Sequence, residues 1–299
     1  MVEKELYIFI DPTTKAHNIQ PKDLIPYFHS MIQRGASSTA NKTRSILLSA
    51  FNYGFRHDND PATYKENHEK KFDLVINPVQ AIPKQTDADT VGNHVIDSGE
   101  LFKLLYDMEN RFDDLNFHQT TRDIISLCFY LGGQRPFEVV NTKWSDINWK
   151  EKYITVREEV FKTNKIHLIP LTKSSLEILK RRKERACGSY VFYKKTNINS
   201  PTPTNTIAQA VKYYNEKTDV EHFTPRDFRR TFKTLGGKIG ISKEYRDRIQ
   251  GHAFNDVSSK HYDRYDYFKE KLSSLEAWEK YLNDGISEYK NSLHSTKTS

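Results

Sequence analysis

The sequence predicts a mainly α-helical fold with a small antiparallel β-sheet, divided into two domains. Three observations carry that prediction. Apolar residues recur at helical spacing through most of the 299 residues. Two segments, Tyr153–Val156 and Ile166–Ile169, read as strands joined by a turn. The stretch from Asn77-Pro78 through Ile82 to Thr90 has no period and reads as an extended linker. The boundary is placed there, giving residues 1–93 as a helical domain with its linker and residues 94–299 as a larger second domain.

Composition narrows the classes. Hydrophobic content is 36% with 12% aromatics, enough for a real core, so bulk disorder is excluded. The net charge is +7, from 46 Lys and Arg against 39 Asp and Glu. Between His222 and Arg264 there are ten basic and five acidic residues, so that segment alone carries +5. A basic excess this local suits a binding surface. Cys128 and Cys187 make no disulfide framework, and Cys128 lies in an apolar run of core character. Residues 1–12 lack a basic-then-apolar signal pattern, and no run approaches the ~18 apolar residues of a membrane span. A soluble, cytoplasmic protein is expected.

Taken in order, Tyr7–Ile10 reads as a short strand. A helix follows from Pro21, with Leu24, Ile25, Phe28, Met31 and Ile32 on its apolar face and Gly35 as its stop. A second begins at Ser37, with Ile46, Leu47, Ala50, Phe51 and Phe55 apolar, and carries Lys42, Arg44 and Arg56. Residues 57–71 are polar and read as an exposed loop. Asp97-Ser-Gly-Glu100 opens a helix bearing Leu101, Leu104, Leu105 and Met108. Ile124–Leu131 is strongly apolar and breaks at Gly132-Gly133. Pro136 starts a further helix, which leaves Arg135 at a junction between two apolar helices. A charge in so apolar a setting has an assigned partner: Glu138, a carbonyl, or a phosphate. Lys162-Thr-Asn-Lys165 is the turn between the two strands. Thr172 caps a helix ending in the basic run Lys180–Lys183, read as a solvated C-terminal end favoured by the helix dipole. Pro201–Thr206 is a loop before another helix to about Glu216. At the far end, Phe268, Leu272, Leu275, Trp278, Leu282 and Ile286 follow helical spacing, suited equally to the chain's own core or to another protomer. A frayed tail is expected from Ser287.

The most informative stretch is Thr224 to Tyr265. Thr224 suits a cap, Pro225 the first helical position, and Asp227 the acid of a capping box. Phe228, Phe232, Leu235 and Ile239 form one apolar stripe, and Arg226, Arg229, Arg230 and Lys233 fall on roughly the opposite face. An arginine front on an apolar back asks for a polyanion, because the guanidinium fork fits phosphate oxygens; the plainer alternative is a solvated basic face. Gly240 suits the end of this helix; Gly240-Ile-Ser starts another that ends near Gly251, before His252, and Asp256 suits the cap of a short helix carrying Tyr262.

Four features occur in order: Arg135 at a helix junction, Lys162 on a hairpin, Arg226 and Arg229 as R-x-x-R, and Gly251-His252 with Tyr262 ten residues on. The text G-G-Q-R-P-F-E-V-V, F-K-T-N-K-I-H-L-I-P-L, T-P-R-D-F-R-R-T-F and G-H with K-H-Y-D-R-Y resembles the catalytic domain of tyrosine recombinases, the phage and genomic-island integrases. The resemblance covers about residues 97–270, and T-A-N-K-T-R-S-I-L-L-S-A-F looks like that family's core-binding domain. It implies a site-specific recombinase of a phage or genomic island. Tyr262 would be the nucleophile, leaving a 3′-phosphotyrosine; Arg135 and Arg229 would clamp the phosphate; Lys162 would protonate the leaving oxygen; His252 would assist; and Glu138 would brace the first arginine, while Arg226, which stands where the family has histidine, is expected to bind phosphate on its own account. Double-stranded attachment sites, a homotetramer on DNA and DNA-bending accessory proteins are the implied partners, in a bacterial host, with no cofactor, no metal and no membrane. Lys42, Arg44, Arg230 and Lys233 are candidate DNA contacts. Lys165 is the alternative to Lys162, and His261 a minor alternative beside Tyr262.

The chemistry is coherent without the resemblance. A phosphodiester anion repels nucleophiles until cations neutralise it. A tyrosine hydroxyl, near pKa ~10, needs the same positive field to ionise at neutral pH. The sequence departs from the family at Arg226, where histidine is usual; an arginine stays protonated and is no general base. Only about 18 residues precede the first predicted helix, fewer than the arm-site domain many integrases carry upstream would need. A topoisomerase-like enzyme and a catalytically weakened DNA-binding relative are the competing readings.

Overall fold

The computed structural model describes residues 5–63, 70–86, 88, 92–115, 117–161, 166–252 and 267–295. Two compact units emerge, Met1–Gly92 and Asn93–Ser299.

In the first unit, α1 (Pro21–Gln33) packs against α2 (Ser37–His57). Pro21 occupies the first turn of α1, and Asp23 closes it by accepting the Gln20 N–H at 2.9 Å. Gly35, at φ +75°, lets the chain turn back into α2. Leu24, Tyr27, Phe28 and Met31 form the buried stripe of α1 at i, i+3, i+4 and i+7. Ile25 lies off this stripe and is exposed; Tyr27 takes the place expected of it. Ile46 and Phe55 of α2 are likewise exposed, while Leu47 and Phe51 pack on the core. Tyr7–Ile10 is not a strand: Phe9 and Ile10 donate back to the Leu6 carbonyl in a helical turn, and the Phe9 ring meets Tyr27 at 5.6 Å.

The expected linker also differs. Residues 71–85 are built onto α2. The Asp58 carboxylate accepts the N–H groups of Lys71, Phe72 and Asp73 at 3.1, 2.8 and 2.7 Å. Asn77 donates to the Leu48 carbonyl at 2.9 Å, and Asn41 exchanges two hydrogen bonds with the Gln85 backbone. Val79 and Ile82 enter the core. The segment shows no sequence period because side chains of Asp and Asn, rather than a helix or sheet, satisfy its backbone.

The second unit is helical around one continuous core. Among the described residues its α-helices are α3 (Ser98–Asn110), α4 (Gln119–Tyr130), α5 (Pro136–Val140), α6 (Lys173–Lys183), α7 (Thr204–Lys217), α8 (Asp227–Lys238), α9 (Lys243–Ile249) and α10 (Phe268–Ser295). A three-stranded antiparallel sheet joins β1 (Ile147–Asn148), β2 (Tyr153–Val156) and β3 (His167–Pro170), with Ile154 opposite both Ile147 and Ile169. A second hairpin, β4 (Tyr193–Lys194) with β5 (Asn197–Pro201), falls partly where a loop was expected. Its Lys, Asn and Ser residues give no alternation to read.

The basic run at the end of α6 is divided: Lys180 and Lys183 are exposed, as expected, whereas Arg181 and Arg182 are built into the structure. Arg181 pairs with Asp123 at 2.6 Å and Glu109 at 2.8 Å. Arg182 is buried, donates to the Val191 carbonyl and lies over the Phe192 ring at 5.4 Å. Arginine's flat guanidinium makes both contacts at once. At the other end of the unit, α10 packs on its own chain and stays helical to Ser295, well past the expected fraying point. Leu275, Trp278 and Leu282 are fully buried, and the Trp278 indole donates to the Phe129 carbonyl at 2.8 Å.

Candidate active site

Helix α8 places the second arginine pair. Thr224 donates both its N–H and its hydroxyl to Asp227, each at 2.8 Å, closing the turn that enters the helix. The helix itself starts at Asp227, two residues later than Pro225 would have it. Arg226 immediately precedes α8, is exposed, and makes no ion pair with a described residue. Phe228 and Phe232 bury the back of the helix. The four cations do not form one free front. Arg230 pairs with Asp227 at 2.5 Å and Lys233 with Asp247 at 2.5 Å.

Arg229 is different. One guanidinium nitrogen donates to the Gln250 carbonyl at 2.7 Å and lies 3.3 Å from His252 Nε2; the other reaches the Gly133 carbonyl at 3.4 Å. Among the described residues it makes no ion pair with a carboxylate. A half-buried guanidinium compensated only by carbonyls and an imidazole retains its full positive charge for an incoming anion.

Arg135 stands at the N-terminal edge of α5. The chain reaches it through Gly132 and Gly133, both left-handed at φ +77° and +71°. The buried Glu138 carboxylate accepts the Arg135 backbone N–H at 3.3 Å and its guanidinium Nη1–H. Glu138 therefore fixes both the start of α5 and the direction of the arginine.

The C-terminal end of α9 brings in His252. Its N–H donates to the Asp247 carbonyl at 2.9 Å. Gly251, at φ +62°, lies against the Phe161 ring with no room for a Cβ. Phe161 in turn stacks on His167 of β3, centroids 4.9 Å apart. His167 Nε2 lies 3.0 Å from the Ile249 carbonyl, so that nitrogen carries the proton. Strand β3 and α9 are thus tied at the base of the site.

The electrostatics follow from this crowding of cations. Burial lowers the Arg229 guanidinium to about 10, and Arg135 adds like-charge repulsion, yet Arg229 stays charged at neutral pH. The His252 imidazole is pushed down to about 4, by partial desolvation first, then by Lys233 and Arg229, with Asp247 opposing. Burial first, then Lys271, takes His167 down to about 3. Both histidines are neutral at pH 7. Because an arginine only donates, His252 Nε2 accepts from Arg229 and the imidazole proton sits on Nδ1.

The structure thus brings Arg135, Glu138, Arg229 and His252 together. Lys162 and Tyr262, like the alternatives Lys165 and His261, lie outside the described residues. Lys42 is exposed on α2, and Arg44 donates to the Ile82 carbonyl at 2.5 Å within the first unit. No group of three or more His, Cys, Asp or Glu among the described residues converges as metal ligands would. No helix among them is long and apolar enough to cross a membrane. Sequence reasoning passed over Gln134, His167, Asp247 and Gln250. The available signal was a polar residue flanked by apolar or glycine neighbours, as in Ile249-Gln250-Gly251.

The model of the phage integrase family matches residues 95–265, more than half of the chain. Tyrosine recombinase XerA of Pyrococcus furiosus is 28% identical over 149 residues, which are 46% of this chain and 51% of that relative. The match thus spans about half the length of that relative. A lambda integrase dimer bound to a COC′ core site has a TM-score of 0.58 at 20% identity, covering 88% of both chains. The Tn1549 transposon integrase in complex with circular intermediate DNA has a TM-score of 0.60 at 16% identity, covering 88% of this chain and 87% of that one. A lambda integrase tetramer bound to a Holliday junction has a TM-score of 0.58 at 21% identity, covering 88% and 69%. At such identities these likenesses show a shared fold.

Proposed function

The chain belongs to the phage integrase family, and on that premise we propose that it is a site-specific DNA recombinase that cuts and rejoins DNA through a tyrosine-linked intermediate. The observation that supports this most is Arg229. It is a half-buried cation bonded to the Gln250 carbonyl and beside His252 and Arg135, without an ion pair to a described carboxylate. That arrangement is suited to a phosphodiester, whose two non-bridging oxygens it and Arg135 would clamp.

The Tyr262 hydroxyl loses its proton to solvent in the field of the arginines, the phenolate oxygen attacks phosphorus, the bond to the 5′-oxygen breaks, and Lys162 gives that oxygen a proton. The products are a 3′-phosphotyrosine and a free 5′-hydroxyl. Neutral His252 offers Nδ1–H as a donor and adds no charge. The positive field then comes from Arg135, Arg229 and Arg226. Arg226, exposed at the head of α8, adds a phosphate contact and lowers the cost of ionising Tyr262, in place of a general base. Rejoining reverses the step.

The substrate is double-stranded DNA carrying attachment sites, bound strongly at low salt because phosphate contacts release counterions. Residues 1–93 act as the core-binding domain and residues 94–299 as the catalytic one. Recombination proceeds in a homotetramer with DNA-bending accessory proteins, in the cytoplasm of a bacterial host that carries the mobile element.

The test uses nicked suicide duplexes made from the DNA flanking the chain's own gene. Incubation followed by a denaturing gel should give a protein–DNA adduct that Tyr262→Phe abolishes. Binding without any adduct on those sequences would refute the strand-transfer reading. Relaxation of unrelated supercoiled DNA without strand exchange would point instead to a topoisomerase-like enzyme.

A further inference from the structure

Gln134 and Gln250 are both fully buried, at 0% exposure, and neither is among the residues proposed above to bind phosphate. They lie next to the groups that do: Gln134 precedes Arg135, and Gln250 stands two residues before His252. Their side chains cross the same seam in opposite directions. Gln134 Nε2 donates to the Leu131 carbonyl at 2.9 Å and across to the Ile249 carbonyl at 2.7 Å, at the end of α9. Gln250 Nε2 donates across to the Gly132 carbonyl and to the Arg229 carbonyl, both at 3.0 Å.

Each of the three segments is therefore tied to the others by an amide. The turn at Gly132–Arg135 bonds α9, the end of α9 bonds that turn, and Gln250 also bonds α8 at Arg229. Backbone shape makes the crossing possible. A Cβ on Gly133 would sit 2.6 Å from the Phe228 carbonyl oxygen and 3.0 Å from Gln250 Nε2, so the turn is pressed directly onto the start of α8.

Stability alone does not account for this pair. Among the described residues, neither side-chain carbonyl, Gln134 Oε1 nor Gln250 Oε1, has a hydrogen-bond partner, and both are buried. An unpaired buried acceptor is a cost that an apolar side chain of similar size would not carry. Donors are what these positions supply: two amides that bond four carbonyls, those of Leu131 and Gly132 at the left-handed turn, of Ile249 at the end of α9 and of Arg229 in α8.

We propose that Gln134 and Gln250 are positioning residues, a reciprocal amide lock that sets the spacing of Arg135, Arg229 and His252 for phosphate binding. The proposal rests on the strand-transfer reading for its kinetic consequence, and on geometry alone for its effect on His252. The lock does not touch the reacting atoms. It acts through the backbone of the residues that would.

The test compares Gln134→Leu, Gln250→Leu and the double variant in the full chain. On a suicide duplex at saturating concentration, each single variant is expected to slow adduct formation at least tenfold while its DNA Kd changes less than threefold. The double variant should be no slower than about the worse single, because either change opens the same seam. Unchanged adduct rates, or a double variant slowed by the product of the two singles, overturn the lock. Should Gln250→Leu fail to fold, Gln250→Asn, which shortens the amide by one methylene, decides by the same criteria. An independent reading comes from NMR of isotope-labelled histidine without DNA. Loosening Arg229 from His252 should move the imidazole midpoint up by about one pH unit in the variants. If wild type forms no adduct, the strand-transfer reading has failed, and an unmoved His252 midpoint would then overturn the lock as well.

Discussion

Gly251→Ala has two separable costs. The first is backbone strain. Gly251 sits at φ +62°, where a Cβ-bearing residue pays roughly 1–2 kcal/mol. The second is steric. The new Cβ would lie 2.1 Å from Phe161 Cζ and 2.9 Å from Cε2, so the ring must move. That ring is stacked on buried His167, and overpacking of this kind costs roughly 1–3 kcal/mol. The sum is about 2–5 kcal/mol, a large part of the ~5–15 kcal/mol that holds a typical domain together. Urea unfolding followed by tryptophan fluorescence measures it. Phe161→Leu in the same chain should recover the steric part and leave the backbone part, so the double variant should be about 1–3 kcal/mol more stable than the sum of the singles. A loss below about 1 kcal/mol for Gly251→Ala, or strict additivity with Phe161→Leu, would refute the packing of α9 against the β-sheet described above.

Other predictions follow from the same geometry. His167 and His252 are held neutral when folded, with values near 3 and 4 against the ordinary ~6.5, so the unfolded chain binds the extra protons as pH falls. Stability should be flat above pH ~6.5 and decline toward pH ~4 at up to about 1.4 kcal/mol per unit for each histidine, less for the partly solvated His252; a flat profile from pH 7 to 4.5 would contradict the burial of His167. Glu138→Gln removes the buried charge that faces Arg135 and should cost about 1–3 kcal/mol by urea unfolding, with less than 0.5 kcal/mol (roughly the surface-substitution level) counting against the brace. Trp278→Ala should cost about 3–5 kcal/mol and expose α10 to proteolysis, since the indole is fully buried and bonds Phe129; a neutral result would mean that α10 does not depend on its own core.

Elements with one buried face were legible in the sequence. The apolar stripes of α3 and α8 and the strands β2 and β3 follow directly from period and turn chemistry, and α4, buried on all sides from Thr121 to Tyr130, shows as a continuous apolar run over Ile124–Leu131. Short or polar elements were not: β1 has two residues, and β4 with β5 is built from Lys, Asn and Ser. Irregular backbone held by Asp58, Asn77 and Asn41 reads as linker because its partners are far apart in sequence. The arginines and His252 stood out by type and order. Whether each charge was free did not, because the pairings of Arg230 with Asp227, of Lys233 with Asp247 and of Arg181 with Asp123 depend on three-dimensional neighbours. Gln134 and Gln250 carry no charge and no motif, and only their burial gives them meaning.

The central claim is that a tyrosine of this chain takes the DNA 3′-phosphate within an arginine clamp. Peptide mapping by mass spectrometry of the adduct formed on a suicide duplex tests it most directly. The account predicts a nucleotide 3′-phosphate on the peptide containing Tyr262, formed by wild type and lost on Arg229→Ala even where DNA is still bound. A phosphate carried by any other residue, or an adduct of undiminished yield in Arg229→Ala, would contradict it.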